Sequence, residues 1–182
     1  TLDFLENQKT FDEFYTNATL TEAEKHEILI DSQAKLQSYA KSLNKLMHNH
    51  NITAPQRVLY VSGMLLSMQN VVNDAGIKIQ DGLVPKDLKG IQTDSKRDGA
   101  QIVNQIKEFL TARKIPIDKQ NLMLASFSEI SKDAQRDEIT KLDKEVSKLI
   151  SNDSSSNKQI FSFIYHNIFL SIDAMVGHLD IM

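Results

Sequence analysis

The chain has 182 residues, 41% of them hydrophobic, with 21 basic against 24 acidic side chains. That suits one domain with its own core and excludes both a disordered chain and a strongly basic one. With no cysteine, disulfides and thiolate metal sites are excluded. No apolar run reaches the roughly 18 residues of a membrane-crossing helix, and the first residues carry no secretory signal, so a cytoplasmic location is expected.

Helix punctuation begins early. Thr10-Phe-Asp-Glu13 and Thr21-Glu-Ala-Glu24 both have the capping-box pattern, in which hydroxyl and carboxylate satisfy each other's backbone amides. From Glu22 onward Ile28, Leu29, Leu36, Ala40, Leu43 and Met47 form one apolar stripe. This predicts a helix over 22–48, ended by Asn49-His-Asn-Ile52. Thr53 then caps a second helix with Pro55 in its first turn, where the missing N–H costs nothing. That helix, expected over 53–73, is apolar nearly all round: Val58, Leu59, Tyr60, Val61, Met64, Leu65, Leu66, Met68, Val71 and Val72. It belongs at the centre of a bundle, between helix 22–48 and the last helix, and Leu65→Ala is expected to cost about 2–5 kcal/mol. Gly63 and Ser62 would let a neighbour approach closely.

Residues 74–98 break the helical period with Gly76, Gly82 and Pro85, while Ile77 and Ile79 alternate as in a short strand. A long irregular loop is expected there. Helical spacing returns over Asp98–Lys114 (Ile102, Val103, Ile106, Phe109, Leu110) and Asp118–Ser131 (Leu122, Leu124, Phe127, Ile130), joined through Pro116. A further helix with Ile139, Leu142, Val146, Leu149 and Ile150 is expected to end at a solvated linker, Ser151–Asn157. Its Asp137, Glu138, Asp143 and Glu145 alternate with Lys141, Lys144 and Lys148 as surface pairs. The last helix, about 157–176, carries Ile160, Phe161, Ile164, Ile168, Phe169, Ile172 and Met175, with a stop at Gly177. The reading is all-α: a bundle of about six to seven helices in one domain, 1–182, with a substructure of 1–73 and 99–176 left open. Because the chain begins at Thr1 and ends inside a renewed apolar pattern at Met182, it is expected to be part of a longer polypeptide.

Chemistry is scarce. There is no Gly-rich phosphate loop, nucleophile elbow or H-E-x-x-H, so no catalytic, cofactor-binding or metal-ligating residue is assigned. His48 and His50 lie two apart, on different helix faces, and read as an exposed helix end; His166 reads as a satisfied core imidazole. Met64, Met68, Phe161 and Phe169 read as core. Charge is uneven: residues 78–119 hold 9 basic and 6 acidic side chains, whereas 1–77 and 120–182 each hold 6 and 9. In that basic middle the pair Lys96-Arg97 stands just before a helix start, where free amides can meet a phosphate. Lys96, Arg97, Lys107, Arg113 and Lys114 are therefore the candidate phosphate contacts, set against an ordinary solvated face.

Three segments carry a resemblance: Asn51–Gln69, Asp98–Lys107, and Asn157–Phe161 running on to Gly177–Met182. They resemble the helical region that precedes the catalytic domain in adenine-specific DNA methyltransferases of restriction–modification systems, the modification-subunit type. Together they span roughly a third of the chain. In that family a segment similar to His178–Met182 opens the helix leading into the cofactor domain. The resemblance implies a domain that clamps DNA or docks a specificity or restriction subunit. S-adenosylmethionine is implied for the parent protein and none for this part. The family's glycine-bearing cofactor loop and its Asn-Pro-Pro-aromatic tetrad are absent from the chain, so no catalytic residue is carried over. An enzyme that modifies a base must rotate it out of the duplex, and the backbone must be held meanwhile by contacts that position without reading sequence. The competing reading is a free-standing bacterial helical module that binds other proteins and has no enzymatic activity.

Overall fold

A computed structural model describes residues 21–141 and 153–174. Helix α1 (Glu22–Asn49) starts where its capping box predicts. The Thr21 hydroxyl accepts from the Glu24 amide at 3.2 Å, and the Glu24 carboxylate accepts from the Thr21 amide at 2.8 Å. The box at Thr10–Glu13 lies outside the described residues. Only Leu43 and Met47 of α1 are buried, so its first half runs past the core. Asn51 adopts a left-handed φ of 59°, which turns the chain into α2 (Ala54–Ser67). The Gln56 side chain accepts from the Thr53 amide at that start.

Helix α2 is shorter than the apolar run suggests. It stops at Ser67, whose hydroxyl donates back to the Met64 carbonyl at 2.7 Å and whose own carbonyl accepts from the Leu83 amide at 2.8 Å. The β-branched pair beyond it forms strand β1 (Val71–Val72), antiparallel to β2 (Lys78–Gln80). Burial is also one-sided: Tyr60, Gly63, Met64 and Ser67 are buried, whereas Val58 is 69% exposed. Leu65 is half-buried at the margin of the core, and Met64 occupies the buried position assigned to it. The main partner of α2 is α3 (Asp98–Ala112), not α1 or the last helix. Gly63 serves the expected close approach, since a Cβ there would lie 2.6 Å from Ile130 Cδ1; Ser62 is exposed.

The segment 74–98, expected to be irregular with a strand-like alternation at Ile77 and Ile79, holds strand β2, which pairs back to β1, and two 3-10 turns, Pro85–Asp87 and Asp94–Lys96. The helix expected over 118–131 is two, α4 (Ile117–Phe127) and α5 (Glu129–Lys132). They part at Ser128, whose hydroxyl donates to the Ala125 carbonyl. A 3-10 turn follows at Ala134–Asp137.

Two expectations fail beyond it. Thr140–Lys141 is strand β3, not the opening of a helix, and pairs antiparallel with β4 (Asp153–Ser154). The rest of that expected helix, 142–150, lies outside the described residues. The polar stretch expected to be a solvated linker is interior at its end: Ser154, Ser155 and Asn157 are at most 1% exposed.

Helix α6 (Ser156–Ile164) passes into a π-helical turn at Tyr165–Phe169 and continues as α-helix over 170–174. The rings of Phe161, Tyr165 and Phe169 stack in sequence along it, with centroids 6.4 and 5.6 Å apart. Ile172, expected in the core, is exposed; Met175 and Gly177 lie outside the described residues. One continuous core runs from Leu43 and Met47 through Tyr60, Met64, Ile102, Ile106 and Ile130 to Ile160, Phe161 and Ile164. It draws on helices from both 1–73 and 99–176. The fold is all-α, with six α-helices and two small two-stranded antiparallel sheets among the described residues.

Candidate DNA-phosphate interface

The start of α3 does bind an anion, but an internal one. Asp137, wholly buried, accepts from the Gly99 amide at 3.0 Å, from Arg97 Nη1 at 2.7 Å and from Asn157 Nδ2 at 2.8 Å. Arg97 Nη2 also donates to the Ser131 carbonyl at 2.8 Å, leaving the side chain only 15% exposed. Asp98 is equally buried and accepts from the Gly90 amide at 2.9 Å and from the Ser155 hydroxyl at 2.6 Å. Ser155 in turn caps α6 by accepting from the Lys158 amide. Gly99 is required by this closeness, because a Cβ there would sit 2.6 Å from the Ile130 carbonyl oxygen. Burial raises the Asp137 carboxyl above its usual value, while the Asn157, Gly99 and Arg97 contacts oppose the shift. Asp137 is therefore not the member of a surface pair that its spacing suggests. It is the centre of a buried clamp joining α3, the turn after α5 and the start of α6.

The five candidate phosphate contacts are not brought together. Arg97 is committed to Asp137, and the amide at the start of α3 is taken by the same carboxylate. Lys114 pairs with Asp74. Arg113 lies over the Phe109 ring, 5.2 Å from its centroid. Lys107 is exposed on α3, about a third of a turn round the helix from Gln101. About 24 Å of helix separate Arg97 from Arg113, so no single phosphate meets both ends.

Lys96 has a different setting. With Lys89 it lines an open cleft of about 530 Å³ whose other walls include Gln80, Asp81, Asp87, Gln92, Gln101 and Gln105. Gln105 is buried and fixed, donating to the Asp81 carbonyl at 3.1 Å and accepting from Gln80 Nε2 at 2.6 Å.

His48 is exposed at the end of α1 as expected, but His50 and His166 are placed differently. His50 is half-buried, with Nδ1 2.9 Å from the Ser156 hydroxyl and Nε2 3.1 Å from Gln159 Oε1. Burial pulls its pKa below the usual histidine value, and the Gln159 hydrogen bond opposes that. Arg136 donates to the His50 carbonyl at 2.9 Å and stands 5.6 Å from the centroid of the Tyr60 ring. Tyr60 donates to the Glu129 carbonyl, and burial pushes its hydroxyl up to about 12. His166 is exposed, so it is not a core imidazole.

No group of three or more metal-ligating side chains occurs among the described residues, and none of their helices is long and apolar enough to cross a membrane. In the family resembled the cofactor loop follows a strand; among the described residues the strands are two or three residues long and paired antiparallel, and none leads through a glycine-rich turn into a helix. Comparison with protein-family models, with curated proteins and with solved structures finds no match to this chain.

Proposed function

We propose that the chain is a non-catalytic helical domain of an adenine-specific DNA methyltransferase of the restriction–modification type, holding DNA for, or docking a subunit onto, a catalytic domain that lies beyond Met182. One observation supports this reading above the others. The three segments that carry the resemblance meet in space: Tyr60, Gly63 and Met64 of the first, Asp98, Gly99, Ile102 and Ile106 of the second, and Asn157, Ile160 and Phe161 of the third. They share one core, and Asp137 ties the second to the third. Residues that jointly specify a fold are the ones a related domain would keep. A subunit-docking role is favoured by the β1–β2 hairpin, where Ile77, just before strand β2, and Ile79 within it are 63% and 64% exposed. The same feature is what the alternative, a free-standing protein-binding module, would use.

The reading is tested by the gene product downstream of Met182. A strand with a glycine-rich loop followed by Asn-Pro-Pro-aromatic is expected there, and a stop codon overturns the proposal. Residues 1–182 alone are expected to show no heat of S-adenosylmethionine binding at micromolar concentration; specific binding by calorimetry would place the cofactor in this domain and contradict the division of labour.

A further inference from the structure

From Ser32 to Asn73 the chain contains no Asp or Glu, yet it holds Lys35, Lys41, Lys45 and Arg57. The acids of α1 are confined to its opening, at Glu22, Glu24, Glu27 and Asp31. Lys41, Lys45 and His48 follow one another at spacings of four and three, which sets them within roughly 60° on one helix face. All three are exposed, on the side away from buried Leu43 and Met47. Along the axis Lys41 and Lys45 are about 6 Å apart, with His48 about 4.5 Å further on.

The row continues onto α2. Arg57 donates through Nε to the Ile52 carbonyl at 3.1 Å and through Nη2 to His48 Nδ1 at 3.4 Å. A guanidinium only donates, so Nδ1 of His48 accepts and its proton sits on Nε2, itself a donor. The carboxylates that reach this turn are already engaged: Glu129, bonded to Gln56, by Lys132, and Asp133 by Arg136. Among the described residues Lys41, Lys45 and Arg57 form no ion pair. The helix dipole favours cations only over the last turn. It therefore does not account for Lys41, two turns back, or for Arg57, on the next helix.

We propose that Lys41, Lys45, His48 and Arg57 form a track for the phosphate backbone of duplex DNA. The inference rests on the domain's proposed role in holding DNA and moves the contact from the 78–119 segment to the solvent face of α1 and the start of α2. A backbone track needs donors without an acidic partner and no base contact; exposed Lys41 and Lys45 supply two, and the half-buried Arg57, held against Ile52 and His48, adds its guanidinium charge at the end of the row with His48 Nε2 beside it.

The test is fluorescence anisotropy of the 182-residue chain with a short labelled duplex of arbitrary sequence, across about 50 to 200 mM salt. Each lost phosphate contact flattens the log–log salt slope by about 0.9, so K41Q/K45Q/R57Q is expected to flatten it by about 2.7. K41R/K45R keeps the charge and the slope. K25Q, altering a lysine paired with Glu22 at the other end of α1, leaves the slope unchanged, and thermal melts confirm that each variant folds. A triple variant with the wild-type slope overturns the track while leaving the DNA reading standing, as does loss of binding on changing Lys89 and Lys96 alone. A wild-type chain with no salt-dependent binding overturns the DNA reading itself, and the track with it.

Discussion

Asp137→Ala is expected to lower the unfolding free energy by about 3–5 kcal/mol, the range for removing one partner of a buried ion pair. The loss strands three donors at once: Arg97 Nη1, the Gly99 amide and Asn157 Nδ2. Each is held where water cannot readily replace the carboxylate, so the desolvation cost remains without its compensation. Chemical denaturation of wild type and variant measures this, and a loss below about 1 kcal/mol would mean that the clamp contributes little. Asp137→Asn separates charge from shape. Because the folded-state carboxyl is raised above its ordinary 3.8, the folded protein retains a proton that the unfolded chain has released. Stability therefore falls as pH rises from about 3.8 through the folded-state value, and the Asn variant lacks that part of the pH dependence.

Phe161→Ala is expected to cost a similar amount, about 3–5 kcal/mol. Phe161 is 0% exposed and stands where α6 meets the common core, so truncation leaves a cavity that helices on several sides would have to fill. Leu65→Ala provides the contrast, at less than about 2 kcal/mol, because a half-buried side chain at the core margin leaves little void. Denaturation midpoints in one buffer decide between them. If Leu65→Ala proved the costlier change, the side of α2 assigned to the interior would be wrong.

The contrast between these two residues shows what the sequence carried. Helical period and capping chemistry located α1, α2 and α3, since Thr21, Thr53 and the apolar spacing after Asp98 act locally. An apolar run alone cannot say which face is covered: Val58 and Met64 read alike, yet one is exposed and the other buried. The end of α2 was hidden because a loop residue, Leu83, claims the Ser67 carbonyl from outside the helix. The buried clamp was less legible still. Asp98, Asp137 and Asn157 each look like surface residues, and only the fold brings them together, with Arg97 diverted from the solvent role its neighbour Lys96 retains. One signal was available and carried no weight in the charge balance of residues 1–77: the absence of acids from 32 to 73 is plain once the charges are counted in a narrower window.

A domain that holds duplex DNA for methyl transfer to adenine must reveal itself in the kinetics of the full gene product. The decisive assay uses that protein with labelled S-adenosylmethionine and an adenine-containing duplex, comparing wild type with K41Q/K45Q/R57Q. Label is expected in adenine, with KM for the duplex raised in the variant and kcat largely retained, because positioning contacts made equally in ground and transition states act on binding. Absence of adenine labelling by the wild-type protein, or an unchanged KM in the variant, would contradict that role.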